Sequence, residues 1–114
     1  MSPRDWKLRV EDMLGAVTSI LEYTRGMTFE TFSSDSRTLA AVMHYVTVLG
    51  EAARSLPPAI VAKHPEIPFR QMLGIRNVIV HIYFGVRKDI LWQTIRDDLP
   101  PLVPLLKALL EEPD

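Results

Sequence analysis

The sequence contains no cysteine among its 114 residues, which excludes disulfide bonds and thiolate metal sites and fits a reducing cytoplasm. It has no apolar run long enough to span a bilayer, and its first residues lack an apolar signal core. No strand-like alternation of useful length, internal repeat or low-complexity segment is present. We therefore expect one soluble domain over residues 1–114, without a membrane segment.

A large positive charge is also missing, since the formal net charge is −1. A protein that binds nucleic acid broadly and without regard to sequence carries a large cationic surplus. The composition therefore excludes that class, although a small local cationic site is compatible with it. Hydrophobic residues make up 47% and charged residues 24%, the balance of an ordinary globular protein.

Helical spacing is the main pattern that the sequence does contain. Apolar residues recur at steps of three and four over residues 3–24, and Gly26 is placed to terminate that helix. We expect residues 27–35 to form about one helical turn that holds Phe29 and Phe32 against the core.

The rest of the chain continues the helical pattern. Ser34-Asp35 offers an N-cap for a second long helix that runs to about Ser55, in which the interior Gly50 indicates a close packing partner. A short helix over residues 58–64 follows, and a third long helix begins after Ile67-Pro68-Phe69 and ends at Gly85. A fourth helix starts near Asp89 and breaks at Pro100-Pro101, and a separate helical piece covers residues 102–110. The predicted class is all-α, an up-down bundle of four principal helices plus short helices.

The third long helix carries four polar side chains in an apolar stretch, Gly74 to Phe84. These are Arg76, Asn77, His81 and Tyr83. A helix that is apolar all round is a buried one, and each polar group buried without a partner costs several kcal/mol. We therefore expect another helix, a second copy of the chain or a ligand to meet these side chains.

The four residue types suit the cleavage of RNA without a metal. His81 can take and return a proton near neutral pH, so it could deprotonate the ribose 2′-hydroxyl that attacks phosphorus. The guanidinium of Arg76 matches a phosphate and would stabilise its developing charge. Asn77 could orient the substrate or the imidazole, and Tyr83 could donate a hydrogen bond. Because no carboxylate lies in the motif to hold a divalent cation, we expect neither a metal nor another cofactor.

The spacing of Arg76 and His81 predicts a dimer. Five residues separate them, so they point about 140° apart around one helix. A single helix therefore does not bring both to one phosphate, whereas two copies across a twofold axis could line a shared cleft.

At these residues the sequence resembles the HEPN superfamily, specifically the HepT-like toxins of toxin–antitoxin pairs. The family's motif is Arg, four residues, His, one residue and Tyr, and Arg76 to Tyr83 matches it completely. Three further segments agree with the family: Ser36-Arg37-Thr38, Leu49-Gly50-Glu51-Ala52 and Ile67-Pro68-Phe69, although many relatives carry tryptophan where Phe69 stands.

The resemblance implies an all-α homodimer with metal-independent ribonuclease activity, in which Arg76 and His81 are catalytic. It also implies a partner, a minimal nucleotidyltransferase (MNT) antitoxin, which in some relatives attaches AMP to the motif tyrosine, here Tyr83.

Two alternatives stay open at this point. The first is a non-catalytic HEPN module that binds a nucleotide or a nucleotidyltransferase, with the motif as a phosphate-binding cleft. The second is a histidine phosphotransfer bundle, which requires an exposed His81 or His44 with a lysine in register, and neither has one. For His44 and His64 themselves, the sequence favours a structural or solvated role.

Overall fold

Helices form every regular element in the residues that the structure, a computed structural model, describes, namely 3–75 and 87–113. In chain order they are α1 (Pro3–Tyr23), α2 (Phe29–Ser34), α3 (Ser36–Arg54), α4 (Pro58–Lys63), α5 (helical at residues 69–75), α6 (Lys88–Gln93), a π-helical turn (Thr94–Asp98, the π turn) and α7 (Leu102–Leu110). The predicted all-α class is confirmed.

Helix α1 is the central packing element, and it contacts α3 most extensively and α7 next. Its buried face follows the predicted stripe, since the side chains at steps of three and four are inaccessible to solvent. They are Val10, Met13, Val17 and Ile20. The facing residues of α3 are buried as well and include Val42, Val46, Leu49 and Gly50. Each fully buried side chain of this size contributes about 1.5–3 kcal/mol, so this pair of helices holds much of the core.

Local capping explains where the first helices begin and end. Gly26 adopts a φ of 74°, the left-handed conformation that glycine accepts after a helix. The side chain of Asp35 accepts a hydrogen bond from the backbone N–H of Thr38, so it caps α3 as predicted. Thr28 caps α2 in a reciprocal capping box with Thr31, which the sequence analysis did not anticipate.

The prediction for the residues of α2 was correct for one phenylalanine and wrong for the other. Phe32 is fully buried, whereas Phe29 is 38% exposed. Helix α2 contacts both α3 and α6, and the ring of Phe32 packs on Trp92 of α6. The position of α6 thus covers Phe32, whereas Phe29 stays partly exposed.

The fourth predicted helix begins at Lys88, one residue from the expected start. Before the two prolines it changes from an α-helix to the wider π turn. The backbone N–H of Leu99 donates to the carbonyl of Thr94, five residues earlier, at 3.0 Å. The ring of a proline clashes with the carbonyl four residues before it in a regular helix. Widening the last turn before Pro100 relieves that clash, and α7 then starts afresh at Leu102.

None of the helices within residues 3–75 and 87–113 is long and apolar enough to cross a bilayer.

Candidate functional site

The predicted site residues Arg76, Asn77, His81 and Tyr83 lie outside the described residues. The structure describes the chain before the motif, up to Ile75, and after it, from Arg87 onward. The segments on both sides pack against the core.

On the N-terminal side, α5 presents one apolar face to the core. Phe69, Met72 and Ile75 are spaced by three residues, and all three are buried. The other face is open, since Arg70 is exposed and Leu73 is 45% exposed. The residue that directly precedes Arg76 in the chain is thus a core residue.

On the C-terminal side, α6 is attached to α2 by two contacts. The ammonium of Lys88 donates to the carbonyl of Ser33 at 3.0 Å. The rings of Phe32 and Trp92 pack with centroids 5.0 Å apart, in a tilted arrangement. Tilted aromatic pairs add about 0.5–1.5 kcal/mol beyond their buried area, so this junction fixes the chain soon after the motif.

The first turn of α6 also carries an exposed ion pair. Arg87 Nε donates to Asp89 Oδ1 at 3.3 Å, and this hydrogen bond holds the pKa of Asp89 below its ordinary value. A carboxylate in the first turn of a helix is also favourable to the helix dipole.

A cleft of about 270 Å³ is lined in part by α5, up to Ile75, the residue that precedes Arg76 in the chain. Its walls come from α3, α5, the π turn and α7, and it is lined by Leu49, Pro68, Gln71, Met72, Gly74, Ile75, Thr94, Asp98, Leu99 and Leu102. Most of the described lining is apolar, and its polar side chains are those of Gln71, Thr94 and Asp98. Within residues 3–75 and 87–113, none of these three side chains makes a hydrogen bond or an ion pair. They are therefore available to a ligand.

The two histidines that lie within the described residues have different surroundings. His44 is exposed on α3, where its ring lies edge-on to Tyr45 with centroids 5.0 Å apart. It borders a second cleft of about 280 Å³ between α1 and α3, in which Arg9 is already paired with Asp12 at 3.3 Å. His44 is therefore a solvated surface residue, one of the two roles expected for it.

His64, by contrast, is buried and ties the C-terminal end to α4. Its Nδ1 lies 3.1 Å from Glu66 Oε1, and its Nε2 lies 3.0 Å from Glu112 Oε1, out of line for a hydrogen bond. The pKa of Glu66 is lowered, first by its own backbone N–H and then by the hydrogen bond with His64. Lys7 of α1 also donates to the backbone carbonyl of Glu112. This arrangement is a structural tie, which is one of the two roles expected for His64.

In the described ranges, no three histidine, aspartate or glutamate residues come together in a way that could hold an ion.

The sequence analysis missed the π turn and the two polar groups, Thr94 and Asp98, that it places on the cleft. The signal that could have found them is Pro100-Pro101, because a proline pair forces the preceding helical turn to widen or break. Single-turn π segments are frequent at functional sites.

Comparisons with known proteins agree with the motif. A family model described as Ribonuclease HepT-like matches residues 13–109. The chain is 39% identical over 99 residues to a protein of Thermococcus cleftensis named "Probable ribonuclease HepT", covering 87% of this chain and 90% of that one. Two proteins provisionally named as RNases are also similar. One, from Methanocaldococcus jannaschii, is 29% identical and covers 98% of this chain and 93% of its own length. The other, from Caldanaerobacter subterraneus subsp. tengcongensis, is 31% identical, and the match covers 90% of this chain and 92% of that protein. No solved structure matches the chain at a significant level.

Proposed function

This chain belongs to the ribonuclease HepT-like family, and from that premise we propose that it is a metal-independent endoribonuclease. The observation that carries the proposal is that the family match spans residues 13–109 and so contains the whole motif from Arg76 to Tyr83.

In the proposed reaction, His81 accepts the proton of a ribose 2′-hydroxyl as that oxygen attacks the adjacent phosphorus. The new bond joins the 2′-oxygen to phosphorus, and the bond from phosphorus to the 5′-oxygen of the next nucleotide breaks. The departing oxygen takes a proton, and Arg76 stabilises the charge on the phosphoryl oxygens. Asn77 orients the substrate or the imidazole. DNA is inert in this scheme because it lacks the 2′-hydroxyl.

The active form in this proposal is a homodimer. Because Arg76 and His81 are five residues apart, a twofold axis is the simple way to bring one of each to a shared phosphate. Light scattering at micromolar concentration should give the mass of two chains, and a monomer without a partner would contradict this part of the proposal.

The biological setting follows from the resemblance of the motif to HepT-like toxins. We propose that the protein is the toxin of a type II toxin–antitoxin pair in the cytoplasm. Its antitoxin is a minimal nucleotidyltransferase that attaches AMP to Tyr83. An added AMP would bring a bulky anion near the arginine meant for the substrate phosphate, and so would suppress cleavage.

The experiment that tests the enzyme uses labelled RNA in excess EDTA, with wild type, Arg76→Ala and His81→Ala. The wild type should cleave, and each variant should lose roughly 100-fold or more in rate, the effect of removing a general base or a charge-stabilising donor. His44→Ala is the matched control, because His44 is an exposed histidine on α3, and it should cleave like the wild type.

Two outcomes would overturn the proposal. If activity disappears in chelator and returns with magnesium, the metal-independent mechanism is wrong. If no RNA is cleaved but the protein binds a nucleotide or a nucleotidyltransferase, the non-catalytic module is the correct interpretation.

A further inference from the structure

The cleft that α5 helps to line combines an apolar body with three polar groups at its edge. Met72, Ile75 and Leu99 supply buried apolar surface, while Gln71, Thr94 and Asp98 bring an amide, a hydroxyl and a carboxylate. Small-molecule sites have this composition, with mostly apolar walls and a few convergent polar groups that fix orientation. A volume of about 270 Å³ lies at the small end of such sites, so the cleft suits one compact ring system.

The charge of the cleft selects a base over a phosphate. Among the lining residues that the structure describes, Asp98 alone is ionisable, and an ionised carboxylate repels the phosphate backbone. A nucleobase has an apolar face and a hydrogen-bonding edge, and proteins that recognise single-stranded RNA bind bases in this way. The cleft therefore fits the base part of a nucleotide.

The carboxylate also distinguishes among the bases. An ionised carboxylate only accepts hydrogen bonds, so it pairs best with an edge that carries adjacent donors. Guanine carries two, N1–H and the N2 amino group, whereas the amino groups of adenine and cytosine stand beside ring acceptors. Thr94 and Gln71 can each donate, which suits the O6 and N7 acceptors of guanine.

The position of the cleft links it to the proposed chemistry. Ile75 lines the cleft, and the Cα of the next residue, Arg76, is about 3.8 Å away along the chain. Since Arg76 is the residue proposed to bind the scissile phosphate, we assign the base in the cleft to a nucleotide near that phosphate.

We infer that the cleft formed by α3, α5, the π turn and α7 is a guanine-binding subsite, in which Asp98 accepts hydrogen bonds from N1–H and N2–H and sets the position of cleavage. The inference rests on the proposed function for its substrate, RNA. It assigns Asp98, Thr94 and Gln71 to base recognition and gives them no part in bond breaking.

The first arm of the test measures binding without cleavage. Four fluorescent single-stranded 2′-O-methyl oligonucleotides differ only in one central base (G, A, C or U), and they cannot be cut by 2′-hydroxyl attack. Fluorescence anisotropy with the wild-type protein should give the lowest Kd for the guanine oligonucleotide. Asp98→Asn should weaken that binding roughly 10-fold, the usual effect of losing a bidentate base contact, and should not weaken the binding of the other three.

The chain offers a closely matched control. Asp97 lies next to Asp98 in the π turn and is exposed, but it does not line the cleft. Asp97→Asn removes the same charge from the same turn, so it should keep the preference for guanine. Thr94→Val is a second variant, which keeps the shape of the side chain, removes the hydroxyl and should reduce the same preference. Thermal melts followed by circular dichroism confirm that each variant is folded.

The second arm maps cleavage sites on RNA of mixed sequence. Wild type should cut at a fixed position relative to guanine, and Asp98→Asn should cut with less selectivity. Equal Kd values for all four oligonucleotides, or the same behaviour of Asp98→Asn and Asp97→Asn, would overturn the inference even if RNA is cleaved. Conversely, guanine-selective binding that depends on Asp98, in a protein that cleaves no RNA, would support the subsite and reject the ribonuclease proposal.

Discussion

Replacing Phe32 with alanine should destabilise the protein more than any surface change on the same short helix. The side chain of Phe32 is 0% exposed, and its ring packs on Trp92 at 5.0 Å. Truncating a buried phenylalanine to alanine costs about 3–5 kcal/mol, because both the transfer free energy and the surrounding contacts are lost. The whole free energy of unfolding for a chain of 114 residues is roughly 6–17 kcal/mol. Phe32→Ala should therefore remove a large part of it.

The assay is urea unfolding followed by circular dichroism, with Phe29→Ala as the control. Phe29 is in the same helix but 38% exposed, so its truncation should cost no more than about 1 kcal/mol. With a slope of about 1–3 kcal/mol per molar urea, the midpoint of Phe32→Ala should fall by about 1 M or more. If that variant is too unstable to measure, Phe32→Leu should show a smaller shift in the same direction. Equal midpoints for the Phe32 and Phe29 variants would refute the assignment of Phe32 to the core.

Three further predictions concern a helix cap, the C-terminal tie and the motif tyrosine. The backbone N–H and hydroxyl of Thr38 donate to Asp35 and hold its pKa below the ordinary 3.8. The ionised carboxylate of Asp35 therefore stabilises the fold fully above about pH 4, and this stabilisation is lost as the pH falls through the lowered pKa. The melting temperature of Asp35→Ala should be lower than that of the wild type at about pH 7 and equal to it at about pH 2. The same difference in melting temperature at both pH values would contradict this prediction. Glu112→Ala removes the carboxylate that lies 3.0 Å from His64 Nε2, so amide hydrogen exchange should become faster in α4 and stay the same in α2. Unchanged exchange in α4 would argue against a structural role for this contact. Tyr83→Phe should fold, retain at least part of its cleavage activity and escape AMP addition by a cognate nucleotidyltransferase. Intact mass spectrometry that finds AMP on this variant would place the modification elsewhere.

Helix boundaries were the most predictable part of the fold, because single residues set them through local chemistry. Asp35 starts α3 because its carboxylate accepts from a backbone N–H that has no partner within the helix. Gly26 follows α1 because it can adopt a positive φ without strain. Both effects act within a few residues of sequence, so the pattern alone was sufficient.

The burial of individual residues in short helices could not be predicted in the same way. Phe29 and Phe32 are three positions apart on α2, and helical spacing places both on roughly the same side. Contacts with α6, more than 50 positions along the chain, decide that Phe32 is the buried one. The π turn was missed for a related reason, since spacing does not distinguish a widened turn from a regular one.

The candidate site divides in the same manner. The motif residues Arg76 and His81 were found from residue type and spacing, and their roles stay predictions. The cleft is lined by Leu49, Gln71, Asp98 and Leu102, which are far apart in the sequence. Only the packing of four elements brings these residues together, so a local sequence pattern could not predict the cleft.

The end groups of the cleaved RNA test the central proposal most directly. Fragments produced by the wild type in excess EDTA are analysed by mass spectrometry, beside an RNA with a single 2′-deoxy substitution at the mapped cleavage site. Attack by the 2′-hydroxyl predicts a 2′,3′-cyclic phosphate on one fragment, a 5′-hydroxyl on the other, and no cleavage at the substituted site. A 3′-hydroxyl with a 5′-phosphate, or unchanged cleavage at the 2′-deoxy position, would contradict the mechanism assigned to His81 and Arg76.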